Sequence, residues 1–154
     1  MRAIATLIFV YLFAVQGTSQ DVHDAQKEAR CRFSNGKTIT ITYLADHIRA
    51  ARLTTNEDLI TVKGINVPPG DYRIVPAKDP QNNWFLKMRR TAKGDSVGLS
   101  VPLTVKQSTS PEDGLKIAFD HTGGSCMMHW NSEESKVLLS LEFTAKNADI
   151  PVIP

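Results

Sequence analysis

From residue 38 onward the dominant period of the chain is two. Ile39, Ile41 and Tyr43 alternate with Thr38, Thr40 and Thr42, an apolar face backed by β-branched polar residues, as in a half-buried strand. Leu115, Ile117 and Phe119 alternate with polar neighbours in the same way, as do Cys126, Met128 and Trp130, and then Val137, Leu139, Leu141 and Phe143. Val97, Leu99, Val101, Leu103 and Val105 share one parity, and Pro102 falls on the other. Proline has no N–H to give to a central strand, so this run is predicted at a sheet edge. Asn35-Gly36, Lys63-Gly64, Pro69-Gly70 and Thr122-Gly123-Gly124 punctuate the runs as turns. Only residues 44–57 leave room for a short helix. The pattern predicts an all-β chain of about eight or nine short strands, a single-domain antiparallel β-sandwich with a small barrel as the alternative.

Parity also suggests registers, because inward residues should face inward residues across a hairpin. A three-residue loop at Ser34-Asn35-Gly36, with Gly36 left-handed, pairs Cys31 with Ile39. Across Thr122-Gly123-Gly124, pairing Phe119 with Cys126 sets Ile117 against Met128, Leu115 against Trp130 and His129 across from Lys116. Pairing Val75 with Phe85 sets Arg73 against Lys87 and Asp71 against Arg89.

The amino terminus reads differently. Arg2 precedes a run of thirteen uncharged, mostly apolar residues and then Gly17, Thr18 and Ser19, the three-part pattern of a signal peptide cleaved after Ser19. The apolar run is shorter than the ~20 residues a membrane span needs, so no span is expected after cleavage. The expected organisation is a signal peptide over 1–19, a flexible arm over 20–30, the β-sandwich over 31–146 and a tail over 147–154. Export, to the periplasm or the cell exterior, makes Cys31 and Cys126 candidates for one disulfide. A net charge of +2 on 154 residues is too small to predict nucleic-acid binding, and two cysteines cannot supply a four-ligand zinc site on their own.

With Cys31-x-Phe33-Ser34-Asn35-Gly36-Lys37-x-Ile39, the segment Val62 to Tyr72 and Gly124-Ser125-Cys126 in view, the chain resembles an uncharacterised exported bacterial family, domain of unknown function twenty-nine-eleven. The likeness covers roughly residues 30–144, and Val67-Pro68-x-Gly70-x-Tyr72 is its most distinctive part. The family resemblance implies fold and export but brings no activity. In members the first long strand is followed by a longer segment with a Trp-Arg-Thr-Gly-Ala-Asn-Glu-like motif; here residues 44–57 keep only Asn56-Glu57.

Catalytic signals are weak. Asp120, His121 and Ser125 are the right residue types for hydrolysis, but neighbours on a strand point to opposite faces, and Gly-Gly-Ser125-Cys126-Met127 lacks the second glycine of a nucleophile elbow. His121, His129, Asp120, Glu133 and Glu134 have no metal-ligand spacing, and no cofactor is expected. Trp84 and Trp130 carry core parity. The sharpest feature is the cationic run Lys87, Arg89, Arg90, Lys93. Arg73, Phe85, Lys87 and Arg89 share the outward parity of two strands and form a candidate face for an anion or a partner's carboxylates. The functional expectation is an exported, non-catalytic binding or interaction module for an acidic glycan or an envelope protein. The alternatives are a hydrolase or isomerase acting on envelope polymers, and a structural envelope component.

Overall fold

The computed structural model describes residues 25–92, 98–108, 114–132 and 136–146, with the backbone alone at 47–49. Its strands in chain order are β1 (Lys27–Arg32), β2 (Thr38–Leu44), β3 (His47–Thr55), β4 (Leu59–Thr61), β5 (Asn66–Val67) and β6 (Gly70–Lys78). There follow β7 (Trp84–Arg90), β8 (Gly98–Pro102), β9 (Thr104–Gln107), β10 (Leu115–Thr122), β11 (Ser125–Ser132) and β12 (Val137–Ala145). One antiparallel sheet has the order β1-β2-β3-β6-β7-β8; the other runs β10-β11-β12-β4-β5, with β9 also pairing β12. The fold is the expected sandwich, not a closed barrel.

The inner faces make one core. Ile39, Ile41, Leu53, Tyr72, Ile74, Leu86 and Met88 from the first sheet meet Met128, Trp130, Leu139 and Phe143 from the second, all buried. Each full burial of an aliphatic side chain of this size contributes about 1.5–3 kcal/mol. Cys31 and Cys126 join the sheets through the predicted disulfide, with 6.1 Å between their Cα atoms. His121 Nε2–H donates to the Arg32 carbonyl at 2.8 Å beside it, and the Tyr43 hydroxyl donates to the Ile117 carbonyl.

Several expectations are corrected. Residues 44–57 contain no helix: Ala51, Leu53 and Thr55 are buried on one parity while Arg52 and Thr54 are exposed on the other, which makes β3 a strand. Strand β1 begins at Lys27, inside the stretch expected as an arm. The signal segment 1–19 and the tail 147–154 lie outside the described residues. The described part of the run expected over 97–105, from Gly98 on, falls in two strands. It breaks at Leu103, whose N–H donates to the Trp84 carbonyl, and the chain crosses from the first sheet to the second there. The inward parity is lost beyond that point, and Val105 is exposed. Strand β8, with Pro102, is an edge strand as expected.

The two sequence features of the family resemblance have structural work here. Val67 is buried on β5 and Tyr72 on β6, and the Tyr72 hydroxyl donates to the Pro68 carbonyl at 2.6 Å, pinning the corner where the chain changes sheets. Gly70 turns that corner at φ +149° with the Arg90 guanidinium 3.3 Å from where a Cβ would stand, so a side chain there is both strained and crowded. Asn56 Oδ1 accepts the Thr38 N–H, and buried Glu57 accepts from Asn35 Nδ2 at 2.5 Å and from the Asp58 N–H. Asn56-Glu57 therefore clamps the first hairpin.

Candidate anion-binding face

The outer face of the first sheet is where the cations gather. The first hairpin has the expected register, with Cys31 opposite Ile39 and Gly36 at φ +82°. The β6–β7 hairpin is displaced by two residues from expectation: Val75 faces Lys87, Arg73 faces Arg89 and Ala77 faces Phe85. Parity is preserved, so every inward residue still points inward. The turn decides the register. Asp79 and Asn83 close a tight loop, with Asn82 left-handed at φ 67°, a conformation that asparagine tolerates better than most residues. Asp71 does not face Arg89. Its side chain accepts from the Thr54 hydroxyl and its carbonyl from the Thr91 N–H.

The consequence is a row of arginines. Arg52 on β3 faces Arg73 on β6, and Arg73 faces Arg89 on β7. With neighbouring strands ~4.8 Å apart, three guanidinium groups start from Cα positions spread over only ~10 Å. Like charges directly opposite each other on a sheet destabilise by about 0.2–1 kcal/mol per pair, and there are two such pairs here. Among the described residues no carboxylate lies within 4.0 Å of any of the three, the ion pairs being Arg30–Glu28, Lys37–Glu57 and His129–Asp120. Lys87 flanks the row, its Nζ 5.7 Å from the centroid of the Phe85 ring. Arg89 faces Gly98 on β8, and the missing side chain there opens a shallow cleft of about 370 Å³ lined by Arg73, Val75, Lys87, Arg89 and Ser100.

Of the expected face, the structure brings Arg73, Lys87 and Arg89 to one cleft, while Phe85 stands one row further along, between Ala77 and Pro102. Arg52 was missed. Its signal, the alternation Ala51, Leu53, Thr55, lay in the segment left open for a helix. Comparison with known protein families, with curated proteins and with solved structures finds no match for this chain. The site's chemistry must therefore come from its own residues.

The turn that sets this register is acid-sensitive. The Asn83 N–H donates to Asp79 Oδ1 at 2.8 Å, and with the Asn83 side chain it holds the Asp79 carboxyl below its usual 3.8. A depressed folded-state pKa gives a stabilisation that is complete above the unfolded value and lost as pH falls through the folded one. Protection of the Asn83 amide against hydrogen exchange is thus expected to hold from neutral pH down to about pH 4.5 and to decline below it. Asp79→Ala should remove that protection at neutral pH.

Proposed function

We propose that the chain is an exported binding module related to the family it resembles, and that it takes an anionic ligand, an acidic glycan or the carboxylates of an envelope protein, on the outer face of its first sheet. One observation carries this: the Arg52, Arg73, Arg89 row, which keeps two like-charge contacts with no acidic partner among the described residues. A bound anion converts those repulsions into shared charge-assisted hydrogen bonds, for which the planar guanidinium is well suited. Lys87 and Ser100 add donors at the cleft. The disulfide supports a compartment outside the reducing cytosol. Among the described residues no helix is long and apolar enough to cross a membrane.

The double variant Arg73→Ser, Arg89→Ser separates ligand binding from folding, because the two respond in opposite directions. At low salt it should be more stable than the parent, by about 0.5–1 kcal/mol, since like-charge contacts are gone. Its affinity for polygalacturonate or heparin, measured by fluorescence anisotropy, should fall at least tenfold, and the parent's affinity should weaken as salt is raised. Unchanged affinity in the double variant, or no binding of either polyanion by the parent, sinks the proposal.

A further inference from the structure

The outer face of the second sheet holds a hydrogen-bonded chain that anion binding does not use. The β10–β11 hairpin, like β6–β7, is displaced by two residues from the sequence expectation, because Gly123 and Gly124 alone form its loop, both at positive φ. Phe119 faces Met128, Lys116 faces Asn131, and His129 faces Ala118 instead of Lys116. On its other side His129 faces Ser140 of β12. Asp120, two positions along from Ala118 on the same face, places Oδ2 2.7 Å from His129 Nε2, while Ser140 Oγ lies 2.9 Å from Nδ1.

The proton positions follow from the partners. An ionised carboxylate only accepts, so Nε2 carries the proton it gives to Asp120. In the neutral ring Nδ1 then holds the lone pair, and the Ser140 hydroxyl donates to it. Carboxylate, imidazole and hydroxyl stand in the order required of an orienting group, a base and a nucleophile. The two ring nitrogens are exchanged relative to the commonest arrangement, and the direction of proton transfer is the same. Ser125, the serine singled out in the sequence, does not take part: its hydroxyl is held by the Thr122 carbonyl and Glu142.

Ser140 is 6% exposed, and it lines a cleft of about 230 Å³. The cleft exists because two strands share one edge of β12 without meeting. Strand β4 pairs with Phe143 to Ala145 and β9 with Val137 to Ser140, leaving Leu141 and Glu142 with no partner strand on that side. Val62, Pro102, Leu103 and Met127 give the cleft an apolar wall, Lys63 gives it a cation, and the Glu142 carboxylate, which accepts from the Ser125 hydroxyl, also borders it.

We propose that Ser140 is the nucleophile of a second, catalytic site that hydrolyses esters with a short apolar acyl group, with His129 as the base. Ser140 Oγ bonds to the ester carbonyl carbon as its proton passes to His129 Nδ1, and Lys63, which lines the same cleft, is the cation available to the developing oxyanion. The tetrahedral species collapses, the bond from carbon to the alcohol oxygen breaks, and His129 returns the proton to that oxygen. Water repeats the sequence on the acyl-serine, releasing the carboxylic acid and restoring the Ser140 hydroxyl. Asp120 touches no substrate and is a positioning residue that fixes the ring's tautomer.

The test uses the purified chain and a short-alkyl fluorophosphonate, with the adduct located by intact mass and peptide sequencing between pH 5 and 9. One adduct per chain on Ser140 is expected, absent from Ser140→Ala and formed at least ~100-fold more slowly in His129→Gln. Asp120 is exposed, so Asp120→Asn keeps the question open even if Ser140→Ala fails to fold. Its amide donates to Nε2 and moves the ring proton to Nδ1, so labelling should slow and its pH profile change, which a merely structural Asp120 would not produce. No adduct, an adduct on another residue, or labelling of Ser140 that is indifferent to His129→Gln overturns the proposal.

Discussion

Replacing Cys31 and Cys126 together by alanine should lower the stability of the fold by about 4–5 kcal/mol, the value the chain-entropy treatment gives for a loop of this size. The bridge spans 95 positions, so in the unfolded chain it removes a large share of the conformations that would otherwise compete with folding. It also joins β1 of one sheet to β11 of the other, so its loss leaves that corner to non-covalent contacts such as the hydrogen bonds of His121 and Tyr43. Against a typical total of ~5–15 kcal/mol the effect is about a quarter of the whole or more. Alanine is the right replacement because both sulfurs are buried and a serine hydroxyl would add a desolvation penalty of its own. Urea unfolding with and without reductant is the check. The parent should lose stability on reduction, the double variant should ignore the reductant, and its m-value should be larger because its unfolded state is more open. Equal midpoints for parent and variant would show that the cross-link does not stabilise this fold.

Trp130 should give the next largest effect, and its two simplest substitutions should differ more than their sizes suggest. The side chain is fully buried at the centre of the second sheet, between Ile117 on β10 and Leu139 on β12. Trp130→Ala removes the largest piece of the core and leaves a cavity, with an expected loss of about 3–5 kcal/mol. Trp130→Phe also removes volume, but it deletes an indole Nε1–H that is buried and meets no acceptor among the described residues. An unsatisfied buried donor of that kind costs about 1–3 kcal/mol, so phenylalanine recovers part of what the smaller ring gives up. Denaturant melts of both variants should place Trp130→Phe within about 1 kcal/mol of the parent. A loss from Trp130→Phe as large as that from Trp130→Ala would mean that the indole N–H is satisfied in solution.

Parity was legible in the sequence and register largely was not, for one physical reason. A strand pattern of period two is unchanged by a slip of two residues, so Ile117 and Phe119 point inward whether Phe119 meets Cys126 or Met128. Only the turn removes the ambiguity. At Ser34-Asn35-Gly36 one loop length alone brought inward residues together, and the register followed. At Gly123-Gly124 and at Asp79 to Asn83 two registers with loops of equal length satisfied parity, and the positive-φ residues Gly123, Gly124 and Asn82 set where each loop sits. Both proposed sites sit where that ambiguity mattered. The arginine row requires Arg73 opposite Arg89, and the Asp120, His129, Ser140 chain requires His129 opposite Ala118. Ser140 had a further reason to escape notice: it meets His129 across strands, from eleven positions away in sequence, and no spacing rule connects them.

The two sheets differ in when a growing chain can complete them. Among the described residues all strands of the first lie before residue 103, whereas β12, the last described strand, supplies one edge on which β11 pairs and another on which β4 and β9 pair. A chain emerging amino end first has its first sheet available while Ile39, Ile41, Leu53, Ile74 and Leu86 have nothing to cover them. At ~5–20 residues per second, synthesis from the end of β8 to the end of β12 takes about 2–9 s, a long interval for an exposed apolar surface. During that interval the nascent chain is most in need of a holding chaperone, and thiol chemistry sharpens the hazard. Until residue 126 emerges, Cys31 has no partner in its own chain, and any thiol it finds belongs to another molecule.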